Sequence, residues 1–296
     1  MISYNPKDWF TFIFRFHKSD TFRELLPMIV AISIYSGIVV WLETDILKLG
    51  ENSHLKNISI MHTTLSFVIS MLLVFRINSA YDRWWEGRKQ WGALVNNCRN
   101  LSLKLNAILK GDNQRKVFFA GMISNYPFVL KNHLRNKVNP AELKANEKFN
   151  PADIHLGMHN PNYVASKIFE ETNTMLNQGV LTQEQMLFIN GELSSFTDIC
   201  GACERIKNTP IPFSYSIFIK KFIFFYIMSL PLTLTFGLGY YCIPVVAFVF
   251  YALTSLELIS EEIEDPFGED DNDLPTDTIS KNIRKSVYEI FGLELN

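Results

Sequence analysis

The chain has 296 residues, of which 20% are charged and 14% aromatic, with 24 phenylalanines and a formal net charge of −2. A charge balance this close to neutral excludes the broad basic field of a nucleic-acid-binding protein. So little charge beside so many aromatics excludes an ordinary soluble domain, while a mean hydropathy only slightly above zero divides the chain between bilayer and water.

Met1 to Asp8 lacks the basic region and early apolar run of a cleaved leader. The run Asp8-Trp-Phe-Thr-Phe-Ile-Phe-Arg-Phe16 is too short to span and is expected to lie on the inner leaflet, so residues 1–24 read as an interfacial segment. A bilayer core needs roughly 20 apolar residues per helix. Leu25–Leu42 is uncharged between Glu24 and Glu43, with Pro27 where a helix start tolerates it and Trp41 as an interfacial anchor. Asn57–Phe75 is likewise uncharged between Lys56 and Arg76. The sequon Asn57-Ile-Ser59 is of a kind that arises by chance. Residues 76–221 carry helical periodicity, with Trp84, Trp85, Trp91, Leu94 and Val95 at helical spacing. Asn-Pro pairs at 139, 150 and 160 mark loops, and the polar stretch Lys137–Asn160 is expected to be the most mobile part. Residues 222–256 are uncharged and long enough for two crossings, with Gly237, Gly239 and Pro244 around Tyr240 and Tyr241 as a hairpin turn. Residues 257–296 hold an acidic loop and an amphipathic helix, Ser280–Phe291. The fold class is therefore an all-α membrane protein with four crossings and a helical cytoplasmic region. Lys7, Arg15, Lys18 and Arg23 before the first span, against Lys48 and Lys56 alone in the following linker, place both termini in the cytoplasm.

Several clusters have to be weighed against plainer readings. The four cysteines, Cys98, Cys200, Cys203 and Cys242, are scattered as in a reducing compartment. Cys200-Gly-Ala-Cys203 has redox spacing but no βαβ setting and no second pair, so it reads as buried small residues. His155 and His159 with Asp153 could hold a transition metal on one helical face, but Gly157 between them argues for a loop. His62 could line a polar path or be a satisfied histidine at the interface. Glu269, Asp270, Asp271 and Asp273 suit a hard cation or simply a solvated acidic turn. No nucleophile elbow, no phosphate-cradling loop and no paired nucleophile and base occur, so catalysis has no support.

Phe67, Met71 and Phe75 recur every four residues on the second span and share one face of a helix, with Ser66, Ser70, Asn78 and Ser79 close by. Such a stripe either packs against a neighbouring helix or, when several copies surround an axis, forms a hydrophobic constriction.

Three segments in register resemble the bestrophin family: Phe75 to Gly92 around Arg83-Trp-Trp85, Cys203 to Tyr215 around Thr209-Pro-Ile-Pro-Phe213, and Glu262 to Pro275 around the acidic loop. The short C-terminus and the Thr-Pro-Ile-Pro-Phe signature resemble the prokaryotic branch. The resemblance implies a homopentamer around a central pore in an inner membrane, conducting small monovalent ions passively. It puts the hydrophobic neck on Phe67, Met71 and Phe75 and, counting back from Pro212, the cytosolic aperture on Glu184. A carboxylate there favours cations, whereas the animal members suggest chloride; a non-conducting scaffold is the remaining alternative. The acidic loop resembles the family's calcium clasp, with side-chain ligands Asp270 and Asp273 and backbone oxygens near Glu262, Asp265 and the N-terminus. Calcium is optional in that reading, and the implied partners are further copies of the chain and membrane lipid.

Overall fold

A backbone in hydrocarbon must satisfy its own hydrogen bonds, and the long apolar runs of this chain do so as helices. The computed structural model describes residues 21–48 and 58–294. Helix α1 (Thr21–Trp41) passes into a wider π-helical turn, Leu42–Ile46. Helix α2 (Ile58–Ile108) runs for 51 residues without a break, about 75 Å at the usual rise. That is more than twice a hydrocarbon core of about 30 Å. Helix α3 (Asn113–Leu134) starts on Asp112, which accepts the Arg115 N–H. Helix α4 (Asn160–Asn177) starts on a histidine cap, His159, followed by Pro161. Helix α5 (Gln183–Asn208) opens on a reciprocal capping box between Thr182 and Gln185.

Helix α6 (Phe213–Ser229) stops where Pro231 starts the short α7 (Pro231–Leu238). Gly239, at φ +53°, then turns the chain through Gly239–Tyr241 into α8 (Cys242–Glu264); only glycine takes that conformation without strain. The two arms run antiparallel, since Lys220 pairs with Glu261 at 2.7 Å and the Ile211 N–H donates to Glu264 Oε1 at 2.6 Å. Helix α9 (Thr276–Phe291) ends on Gly292 in the left-handed region.

Two apolar cores share α2. Toward its start, Ile69 and Leu73 pack with Ile219, Ile223 and Ile227 of α6 and Val246 of α8. Further on, Trp91, Leu94 and Leu101 pack with Phe119 and Tyr126 of α3, Ile168 of α4, Phe196 of α5 and Val287 of α9. The runs Thr21–Ile46, Ser59–Ile108 and Phe213–Glu264 are long and apolar enough to cross a membrane, and only 22% of the most apolar window of each is buried in the subunit. Apolar surface left uncovered on that scale belongs against lipid or other subunits.

Several boundaries differ from the sequence reading. The first helix does not stop at Glu43: that side chain is buried and the helical path continues to Ile46. The second helix does not stop at Arg76 either: Arg76 is buried too, and α2 carries on into the second core. Stretch 137–160 is tied down rather than loose. Asn125 and Lys144 exchange two hydrogen bonds of 2.8 Å, Lys131 holds Glu142 at 2.7 Å, and Leu143, Phe149 and Ile154 are buried. The C-terminal helix begins at Thr276, one turn before the expected Ser280. Residues 1–20 lie outside the described residues, and with them the interfacial segment and the backbone oxygens expected near the N-terminus; Asn57 of the sequon also does.

A candidate pore-lining helix and its acidic loop

The periodicity of α2 sorts its side chains onto two faces. Ile69, Leu73, Arg76 and Ala80 are buried against α6 and α8. Phe67, Met71 and Phe75 lie on the other side, 70%, 51% and 52% exposed. Ser66 and Ser70 turn their hydroxyls back to the carbonyls of Thr63 and Ser66, at 2.8 and 2.7 Å, so they add little polarity to that surface. One turn beyond Phe75 the exposed face becomes polar at Asn78 and Asp82. Phe67 and Phe75 are eight positions apart, an apolar band about 12 Å long at the usual helical rise.

A belt of arginines fixes this helix where the apolar face ends. Arg76 Nη1 lies 2.7 Å from Glu264 Oε2 and its Nε 3.6 Å from Glu257 Oε2, all three side chains being largely buried. Arg83 donates to the carbonyls of Glu264 at 3.2 Å and Ile206 at 2.6 Å, and to that of Thr209. The Arg-Trp-Trp and Thr-Pro-Ile-Pro-Phe segments thus meet in space, and together they hold α2 in fixed register against α8 and the end of α5.

The acidic loop folds back onto α2 and α3. The Trp84 indole N–H donates to the Asn272 carbonyl at 3.1 Å, and Arg135 Nε donates to that of Phe267 at 3.1 Å. Glu269 is drawn off by Lys137 at 2.6 Å. Asp270 is exposed, and within the loop its backbone N–H donates to Asp273 Oδ2 at 2.7 Å while its carbonyl accepts the Asp273 N–H at 3.1 Å. Asp273 is buried, and its Oδ1 has no hydrogen-bond partner. Burial pushes its carboxyl up to about 7, with the charges of Asp270 and Asp265 adding to the shift. A Cβ at Gly268 would meet Asp273 Oδ2 at 2.6 Å, so that glycine is what lets the carboxylate tuck in. A buried carboxylate oxygen without a hydrogen-bond partner, beside Asp270 and Asp265, suits a hard cation.

The raised value has a consequence for stability. Between pH 3.8, the ordinary aspartate value, and about 7, the folded chain keeps a proton on Asp273 that the unfolded chain has lost. Folding stability therefore falls as pH rises through that window. In chelator, the unfolding temperature of the wild type should drop from pH 4 to 7 more steeply than that of Asp273→Asn. Calcium at pH 7.5 should raise it for the wild type alone. Equal pH slopes and equal calcium responses in the two proteins would refute this account of the loop.

The remaining predicted residues separate. Glu184 stands fully exposed in the first turn of α5, where the N–H at the helix start and the Thr182 hydroxyl hold its carboxyl below the ordinary range. Leu187, one turn on, is likewise exposed. His62 is buried, with Nε2 2.8 Å from the Ser229 hydroxyl, which bears out the satisfied-histidine reading. Cys200 and Cys203 are buried free thiols, and burial pushes Cys200 up to about 12. His155 sits on a loop and bonds the Asp153 carbonyl, so it does not share a helical face with His159. His159 instead meets His133 and Glu204, a grouping the sequence reading missed because three distant segments supply it.

The fold and these surfaces define an all-helical membrane protein whose longest helix continues from a membrane-crossing run into a second, polar-surfaced bundle. A sequence profile described as Bacterial/Fungal Bestrophin protein matches residues 1–289. A voltage-dependent anion channel-forming protein of Nostoc sp. is 35% identical over 236 residues, covering 78% of this chain and 77% of that one. One of Mesorhizobium japonicum is 28% identical over 292 residues, covering 97% and 91%. The crystal structure of a bacterial bestrophin homolog from Klebsiella pneumoniae superposes with a TM-score of 0.83 at 24% identity, covering 92% of this chain and all of that one, and speaks to the fold alone. The chain belongs to the bacterial and fungal bestrophin family. Channel formation rather than catalysis is what the relatives' names describe.

Proposed function

We propose that the protein is a passive ion channel, built as a homopentamer of four-crossing subunits with both termini on the cytoplasmic side of the inner membrane. The α2 helices would surround the pore, with Phe67, Met71 and Phe75 forming its neck. One observation carries this reading: among the described residues, the three large apolar residues are exposed on the face of α2 opposite the one packed against α6 and α8. Around an axis, the same face becomes a continuous apolar ring in which water and ions are held poorly, so the neck gates by wetting and drying. The polar residues that follow it, Asn78 and Asp82, rehydrate an ion leaving toward the cytoplasm. Asp270 and Asp273 would hold calcium, with backbone oxygens of Glu262 and Asp265. Bound there, the ion supplies positive charge that compensates the buried Asp273 carboxylate and ties the loop to the foot of α2.

The permeating species follows from the charges along the path. Glu184 is exposed and ionised, and a ring of such carboxylates at the cytosolic aperture concentrates monovalent cations and repels anions. The relatives' names, which specify anions, support the opposite preference. Reversal potentials of purified protein in planar bilayers under asymmetric salt separate the two. We expect a reversal on the cation side of zero for the wild type, moving toward zero in Glu184→Gln. A wild-type reversal at the chloride equilibrium potential would overturn the cation reading, and assembled protein that never conducts would favour a scaffold.

A further inference from the structure

We propose that His133, His159 and Glu204 form a binding site for a divalent transition-metal ion of the zinc class, joining three helices of the cytoplasmic bundle. His133 lies in the last turn of α3, His159 caps the start of α4, and Glu204 lies near the end of α5. Glu204 Oε1 is 2.6 Å from His133 Nε2 and 2.9 Å from His159 Nε2, and the three ligand atoms all fall within 4.8 Å of one another. The two imidazole rings face each other at 4.7 Å between centroids. Two imidazoles and one carboxylate are a borderline N/O donor set, which suits zinc and its neighbours rather than calcium or magnesium.

The dimensions fit with little movement. Bonds of 2.0–2.2 Å in a tetrahedron put ligand atoms about 3.3 Å apart, so the two short edges, 2.6 and 2.9 Å, need to widen by about 0.7 and 0.4 Å. The side chains are 25%, 39% and 29% exposed for His133, His159 and Glu204, which leaves them free to make that adjustment. Cavities of about 370 and 340 Å³ open on either side of His159, giving an ion a way in and a water a place in the fourth position.

Without metal the same atoms are spent otherwise. The Asn162 N–H donates to His159 Nδ1 at 3.2 Å as the α4 cap, which leaves the His159 proton on Nε2, directed at Glu204. A metal on Nε2 moves that proton to Nδ1 and releases the cap. Metal binding and the capped start of α4 are therefore alternatives, which makes the site a reversible staple rather than a permanent structural centre.

The test uses the full chain, purified without a histidine tag, stripped with EDTA and titrated with zinc chloride by calorimetry. We expect one zinc per chain, retained on desalting, with a raised unfolding temperature. His159→Asn keeps a side-chain acceptor for the α4 cap and so preserves the fold; it and Glu204→Gln should each weaken zinc binding by about tenfold or more. Asp273→Asn, in the acidic loop, should bind zinc as the wild type does. Wild-type protein that takes up no zinc at micromolar concentration, zinc binding unaltered in both His159→Asn and Glu204→Gln, or loss of zinc from Asp273→Asn would overturn the proposal.

Discussion

Alanine at Phe75 should raise the single-channel conductance of the reconstituted protein by on the order of tenfold, the effect of lowering a permeation barrier by about 1.4 kcal/mol. Phe75 ends the apolar band, and each subunit of a ring would remove one aromatic side chain from it, so the narrowed path both widens and wets more readily. Met71→Ala should act in the same direction but less, because an unbranched thioether already swings aside more easily than a phenyl ring. Both side chains are about half exposed in the subunit, and substitutions away from the packed interior change stability little. A conductance change is thus not a symptom of misfolding. If the stripe instead faces lipid, both variants should conduct as the wild type does, and that result removes the neck from these residues.

The long apolar helices were legible in the sequence because apolar length is a physical requirement of the bilayer and needs no partner to be recognised. The hairpin was legible for a similar reason: Gly239 supplies a backbone conformation that other residues avoid, and it stands beside interfacial tyrosines. What the charges hid was how far the helices run. Glu43 and Arg76 read as the water line, yet both are buried, and Arg76 is paired with carboxylates nearly two hundred residues away that no local window reaches. The stripe Phe67–Met71–Phe75 was visible as a periodicity, but periodicity alone left open whether it packs or lines; among the described residues the opposite face of α2 is the one that is covered. The acidic loop was visible as composition, whereas the difference between an exposed Asp270 and a buried Asp273 with an unpartnered oxygen depends on how the loop folds back at Gly268. The grouping of His133, His159 and Glu204 left no spacing signal, because each residue comes from a different helix end.

Replacing Arg76 by leucine should destabilise the folded subunit by about 3–5 kcal/mol, the usual result of removing one partner from a buried ion pair. The guanidinium stands between Glu257 and Glu264 on α8, and with it gone the two largely buried carboxylates lose the ion-pair partner they share. Glu264 is also a junction: its other oxygen accepts the Ile211 N–H at 2.6 Å and its carbonyl accepts from Arg83. Any shift in it loosens the segment that joins α5 to α6. Unfolding of a membrane protein in detergent is commonly irreversible, so the appropriate measure is the half-life of the assembled form at fixed temperature. Arg76→Leu should shorten that half-life sharply, and adding Glu257→Gln and Glu264→Gln should recover much of it, because the triple variant buries no uncompensated charge. Recovery by the added glutamines is what separates an electrostatic role from simple loss of packing volume. A single variant as long-lived as the wild type, or a triple variant no better than the single, would mean that the three groups are solvated in the assembled protein and that α2 is held in register by Arg83 and the apolar contacts with α6 instead.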